Sequence, residues 1–240
     1  MKIYNNWWLD EVEKLILDFA DRYSLIYSKT EREISASFEI GCFLSLISFY
    51  EQKGCEASPQ NTDLNGDYRY LTTPNGNPAN FSYVQIKKNK ELFQIRQQVR
   101  IKSHLDPDIA FTPDLIVIVE NSVINGQIDP DYANGKRRFF CVDSSHVIAA
   151  HECKSMNPFP ELLISFIGMV IAGHFWIQDY DPSNPKYGFH LAPTFFVGGT
   201  ARSLHIRMVE ALKRVYPINI ILGMHSGTWN LLQNDNLILL

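Results

Sequence analysis

Two short apolar runs constrain this chain more than anything else in it. One is Thr112-Pro113-Asp114-Leu115-Ile116-Val117-Ile118-Val119, the other Val147-Ile148-Ala149-Ala150-His151-Glu152-Cys153-Lys154. Both are short, apolar and rich in β-branched side chains, the pattern of buried strands. Charge stands only at their ends: Asp114 heads the first run, and Glu152 and Lys154 close the second. Side chains alternate along a strand, so Glu152 and Lys154 share one face and Cys153 points to the other. If the runs pair, Asp114 sits beside Glu152, and two carboxylates and an ammonium meet on one face at a strand edge. Two close carboxylates repel unless a divalent cation bridges them. A neighbouring Lys can orient a water or stabilise charge on a phosphate oxygen.

Taken singly, these residues have plainer readings. Asp114 caps a turn after Pro113, and Glu152 with Lys154 makes a solvated edge-strand ion pair that contributes little. Taken together, with Asp at the head of one run, Glu-X-Lys at the end of the next and a long apolar helix candidate behind, the pattern resembles the catalytic signature of the PD-(D/E)XK nuclease superfamily. The resemblance implies a restriction endonuclease-like fold of class α/β: an αβββαβ core with a mixed central sheet flanked by helices. It implies that Asp114 and Glu152 bind Mg2+, with Mn2+ as a substitute, helped by the backbone carbonyl of Cys153. Lys154 then positions or activates the attacking water. The superfamily often draws a further acidic residue from the helix before the strands. Glu39 is the best match, at the start of an apolar helical half where an unpaired carboxylate is costly; Glu33 competes, and Glu39 also reads as the exposed face of that helix. The long gap from Asp114 to Glu152 requires an insertion between the motif strands. The activity implied is hydrolysis of nucleic-acid phosphodiester bonds, of double-stranded DNA before RNA, in restriction or anti-phage defence. A non-catalytic nucleic-acid or protein-binding module of the same fold is the alternative. A duplex-cutting enzyme with one site per chain commonly works as a homodimer or higher homo-oligomer.

Composition fits such a chain without demanding it. The 240 residues are 45% hydrophobic and 20% charged, enough for one domain over 1–240 with a substantial core. A formal net charge of −4 argues against a protein that merely coats nucleic acid, and leaves room for a local basic strip. That strip has two candidate parts. Lys87, Lys88, Arg96 and Arg100 bias residues 86–102, and Lys136, Arg137 and Arg138 form a second cluster in the insertion. Both read equally as solvated faces; near the site they would hold phosphates, giving affinity without sequence choice. Cys42, Cys55, Cys141 and Cys153 form no Cys-X-X-Cys pair. The opening Met1–Glu11 is too acidic for a signal peptide, so a reduced, cytoplasmic setting is expected. The apolar stretch Leu162–Ile177 is shorter than the ~20 residues of a bilayer span, which predicts a buried helix and no membrane association.

Helical spacing of Val12, Leu15, Ile16 and Phe19 predicts an amphipathic helix over 8–27, and a second helix over 31–52 is apolar nearly all round in its later half. Residues 54–80 read as a loop or loose hairpin. Strands are expected over 81–87 and 92–101, a turn-rich insertion with an Asn125-Gly126 signal over 121–140, and a further strand at Phe139–Val142. A helix over 161–178 starts at Pro160. Strand 191–197, helix 201–215 and a strand extension over 217–240 follow, its apolar end read as an edge strand or an oligomer contact. Cys141, His146, His151 and Cys153 match no zinc spacing. Gly198-Gly199-Thr200 before a helix reads as a plain turn more readily than as an anion cradle.

Overall fold

The computed structural model describes residues 7–23, 34–71, 76–128, 138–181, 183, 188–234 and 236–240. In chain order the elements are α1 (Trp7–Tyr23), α2 (Ile34–Gln52), β1 (Glu56–Gln60), β2 (Tyr83–Lys88), β3 (Glu91–Gln97), β4 (Arg100–Lys102), β5 (Ala110–Phe111), β6 (Leu115–Val119), β7 (Asn125–Ile128), β8 (Arg138–Asp143), β9 (Val147–Lys154), α3 (Pro160–Gly173), β10 (Thr194–Val197), α4 (Ser203–Val215) and β11 (Asn219–Leu222). The class is mixed α/β, with a mixed sheet flanked by helices.

The main sheet has seven strands in the order β1-β2-β3-β6-β9-β10-β11. Pairing is antiparallel from β1 through β9 and parallel from β9 through β11. Its two faces separate by alternation. Leu115 and Val117 of β6, with Ile95 of β3, join the cluster under α1 and α2. Ile116 and Ile118 face the other way, against Val99, Ile101 and Val142. α2 is apolar all round because it is covered all round: Phe38, Phe43, Leu46 and Tyr50 are buried between the sheet and α1, whose Trp8, Val12 and Phe19 close over it. Each such side chain, fully buried, contributes roughly 1.5–3 kcal/mol, so α2 is fixed mainly by packing. On the opposite face α3 lays Leu163, Phe166 and Val170 against Phe195 and Val197 of β10.

A second, four-stranded sheet, ordered β5-β4-β8-β7, combines β4 and β5, which precede β6, with β7 and β8, which lie between β6 and β9. Three sequence expectations change here. The single strand expected over 92–101 is two: Gln98 takes a left-handed backbone, φ 52°, and the chain crosses from β3 in the main sheet to β4 in the second. The Asn125-Gly126 turn signal lies inside β7, where Gly126 pairs with Phe140; a Cβ there would stand 3.2 Å from the Phe140 ring, so glycine serves close packing and not a turn. Residues 56–60, expected in a loop or loose hairpin, form β1, which pairs antiparallel with β2, with Pro59 tolerated because the strand is at a sheet edge.

The apolar segment near residue 240, expected as an edge strand or oligomer contact, packs on its own chain. Leu191 and Leu239 form an isolated antiparallel bridge, Leu240 N–H donates to His190 O at 2.9 Å, and the Asn219 side chain holds both backbone polar groups of Ile238. Leu240 is buried. Among the described residues no helix is long and apolar enough to cross a membrane.

Candidate functional site

β6 and β9 are neighbours, with Leu115 opposite His151. That register sets Asp114, just before β6, beside Glu152. The tie is direct: Cys153 N–H donates to Asp114 Oδ2 at 2.8 Å, and Lys154 Nζ donates to the same oxygen at 3.2 Å. Lys154 also forms an ion pair with Glu152. The three side chains are only 14%, 18% and 31% exposed for Asp114, Glu152 and Lys154. Cys153 points the other way, into the buried cluster it shares with Cys42 of α2.

Glu39 reaches the same place from α2. Gln98 Nε2 donates to Glu39 Oε1 at 3.2 Å and to Asp114 Oδ1 at 3.1 Å, and Tyr70 Oη donates to Glu39 Oε1 at 3.4 Å. Asp114 and Glu152 thus pair with the Lys154 ammonium, and Glu39 joins them through Gln98. Burial, then the Asp114 charge, pushes the Glu39 carboxyl up to about 8, and the same two causes push Glu152 up to about 7. Burial works against the Lys154 charge, but Asp114 and Glu152 outweigh it and hold Lys154 protonated well above the usual lysine range.

The acidic group is deficient in positive charge, which is what a hard divalent cation with oxygen ligands would relieve. Asp114, Glu152 and Glu39 are chemically fit to hold such an ion. Even so, among the described residues no three His, Cys, Asp or Glu side chains stand as a ready-formed metal cluster. The Cys and His set weighed for zinc is dispersed. Cys141 lies in the second sheet. His151 is buried, its Nδ1 accepting from Thr194 N–H at 3.2 Å, and burial holds its imidazole neutral, down at about 3.

Among the described residues, the basic side chains named from sequence make their own contacts elsewhere. Lys87 and Lys88 lie at the far end of the sheet: β3 meets β6 with Gln97 opposite Leu115 at the acidic end and Phe93 opposite Val119 at the other, and Lys87 and Lys88 pair with Leu92 and Glu91 beyond that. Lys87 is bound to Glu56 at 2.9 Å, and Lys88 Nζ sits 4.3 Å from the centre of the Phe189 ring. Arg96 stacks on Tyr83 at 3.8 Å and bonds Gln94. Arg100 lies over Phe139 at 3.4 Å. Lys136 and Arg137 fall outside the described residues, as does the side chain of Arg138 and the whole of Glu33.

Sequence reasoning missed a cavity in the loops that follow Lys154 in the chain. The loops that follow the parallel strands β9 and β10 enclose about 420 Å3, lined by Asn157, Phe159, Thr200, Arg202 and His205 among others. They are locked together: Gly198 N–H donates to Lys154 O at 2.8 Å, Gly199 N–H to Met156 O at 3.1 Å, and Thr200 N–H to Asn157 Oδ1 at 3.1 Å. The N-termini of α3 and α4 open onto the same loops, adding positive potential. The glycine pair was the one available signal. It marks a close backbone approach, since a Cβ on Gly199 would meet the Asn157 Cα at 2.5 Å.

Compared with protein-family models, curated proteins and solved structures, the chain matches none of them.

Proposed function

We propose that this chain is a divalent-metal-dependent endonuclease of the restriction endonuclease-like type, hydrolysing phosphodiester bonds of nucleic acid, with duplex DNA as the favoured substrate. One observation carries the reading: Asp114 and the Glu152–Lys154 pair, far apart in sequence, converge on adjacent strands in a half-buried group completed by Glu39. A purely structural ion pair needs two of these charges, and three carboxylates on one ammonium leave an excess that burial makes costly. The order α2, β3, β6, β9, α3, β10 supports the finer fold assignment.

Asp114 and Glu152 would hold Mg2+ or Mn2+, with Glu39 as the third carboxylate. Such an ion would supply Lewis acidity at the attacked phosphate. Lys154, kept protonated, is no general base; it donates to the phosphoryl oxygen on which charge develops. A carboxylate oxygen of the group that the ion leaves free would take the proton lost by the attacking water. The water oxygen then forms the new bond to phosphorus as the ester oxygen leaves. The cavity holding Arg202 and His205 lies just past Lys154 in the same loops and suits a neighbouring phosphate of the bound strand. The setting suggested by the resemblance is restriction or anti-phage defence.

The test is incubation of the full chain with plasmid, linear duplex, single-stranded DNA and RNA, each with Mg2+, Mn2+ or EDTA. Cleavage should need metal and vanish in Asp114→Ala and Glu152→Gln. Cutting of RNA alone would replace the substrate. Binding without cutting in every metal would leave the binding-module reading, and full activity in Asp114→Ala would remove the site.

A further inference from the structure

Gln98 stands where the chain leaves β3 and turns into β4. Its φ of 52° is left-handed, a region that L side chains other than Asn and Asp seldom occupy. Three hydrogen bonds hold it there. Its peptide N–H donates to the Asp114 carbonyl oxygen at 3.0 Å, and its side-chain Nε2 donates to Asp114 Oδ1 at 3.1 Å and to Glu39 Oε1 at 3.2 Å. A carboxamide nitrogen carries two hydrogens, so each carboxylate takes one. Gln98 is only 9% exposed. A glycine would make the same turn without strain. What a glycine lacks is the amide between the two carboxylates.

The geometry points to Gln98 as a positioning residue of the candidate cation site: its carboxamide seats Glu39 of α2 against Asp114 at the head of β6 so that both can ligate one divalent ion. The inference rests on the nuclease reading above. Left to themselves, the two carboxylates repel, and they belong to separate elements; Lys154 pairs with Asp114 and acts on Glu39 only through its field, so Gln98 is the side chain that hydrogen-bonds both. A Lys or Arg in the same place would join them but would compete with the metal by its own charge. The amide is neutral and donates without competing. It engages Oε1 of Glu39, as Tyr70 does, which leaves Oε2 as the oxygen Glu39 offers to a ligand. The left-handed turn also takes the chain out of the main sheet immediately beside Asp114, so the crossing to the second sheet and the seating of the site depend on one residue.

The test is cation binding by the full chain without nucleic acid. Mn2+ is titrated calorimetrically into the parent, Gln98→Gly, Glu39→Gln and the double variant, and thermal unfolding of each is recorded in EDTA. Gln98→Asn, which tolerates the turn but is one methylene too short to span both carboxylates, is the second variant should glycine destabilise the fold. Gln98→Gly should bind Mn2+ about tenfold more weakly, the scale on which groups that orient metal ligands act. The same substitution should cost much less in the Glu39→Gln background, because its effect is transmitted through Glu39. In cleavage, Gln98→Gly should raise the Mn2+ concentration for half-maximal rate and leave the rate at saturating Mn2+ near that of the parent, a split that a turn-forming role does not produce. Equal Mn2+ affinity in the parent and in Gln98→Gly overturns the inference and leaves the nuclease reading standing. A parent that neither binds Mn2+ nor cuts any nucleic acid ends that reading, and the inference with it.

Discussion

Lys154 Nζ donates to Asp114 Oδ2 at 3.2 Å, so the end of β9 is clamped to the head of β6 by a charge. The same ammonium pairs with Glu152. Removing it leaves two half-buried carboxylates facing each other. Lys154→Met, which keeps the length of the side chain, should destabilise the metal-free protein by about 1–3 kcal/mol. This is below the full cost of breaking a buried pair, because Lys154 is 31% exposed. Mg2+ should recover much of the loss, since a divalent ion answers the same repulsion. Thermal unfolding in EDTA and in Mg2+ checks both halves. A variant as stable as the parent in EDTA would show that the clamp contributes nothing.

Stability of the metal-free chain should peak near pH 6.5 and fall toward pH 8. Burial lowers His151 to about 3, His174 to about 4 and His190 to about 3. Their stabilisation is present above the ordinary imidazole value of 6.5 and is lost as pH falls through the lowered values. Glu39 and Glu152 act with the opposite sign. Their carboxyls are raised to about 8 and about 7, so their contribution is present below the ordinary 4.5 and is lost as pH rises through the raised values. These histidines, joined by His225, which burial also lowers, outweigh the two carboxyls on the acid side, and the carboxyls act alone from there to pH 8. Between pH 6.5 and 8 Glu39 accounts for a fall of at most about 2 kcal/mol, less after solvent screening. Unfolding midpoints measured from pH 4 to 9 on the parent and Glu39→Gln test this. A variant profile that falls as steeply as the parent's above pH 6.5 would refute the assignment to Glu39.

The motif strands were legible because residues buried on both sheet faces leave a continuous β-branched run, and charge can stand only at its ends. Glu39 was legible for a related reason: a carboxylate entering the apolar half of α2 needs a partner. The basic cluster over 86–102 shows the limit. Strand residues alternate faces whatever the register, but only the pairing of β2 with β3 and β3 with β6 shows that Lys87 and Lys88 stand at the far end. The second sheet was hidden because β4, before β6 in the chain, pairs in parallel with β8, after it, an arrangement that no local propensity encodes. Gln98 left only a faint mark, the Gln97-Gln98 pair interrupting an apolar alternation.

Gly199→Ala should be costly for a residue in a surface loop. The added Cβ would stand 2.5 Å from Asn157 Cα and 2.6 Å from its N, and backbone atoms cannot swing aside as a side-chain tip can. The 155–157 and 198–200 loops would have to part, breaking Gly199 N–H to Met156 O. Overpacking of this kind costs about 1–3 kcal/mol. Because the displaced loop follows Lys154 directly, cleavage should drop along with the unfolding temperature. Gly168→Ala, which meets nothing within 4 Å on α3, is the control and should be neutral or slightly stabilising. Equal stability of the two variants would contradict the close approach.

Nucleic-acid affinity should depend on Arg202 and not on Lys87. Arg202 is exposed at the head of α4 and lines the cavity in the loops that follow β9 and β10, where on the proposed reading a phosphate near the cleaved one would lie. Lys87 is at the opposite end of the sheet and already bound to Glu56 at 2.9 Å. Each phosphate that the protein no longer neutralises lowers the slope of log affinity against log salt by roughly 0.7–0.9. Arg202→Ala should therefore weaken binding to every sequence alike and flatten the salt dependence by about that amount, with Lys87→Ala indistinguishable from the parent. Filter binding or fluorescence anisotropy across about 50–200 mM salt, in Ca2+ or with Glu152→Gln to block cleavage, reads both. An unchanged slope in Arg202→Ala, or a reduced one in Lys87→Ala, would place the bound strand on a different face from the one proposed.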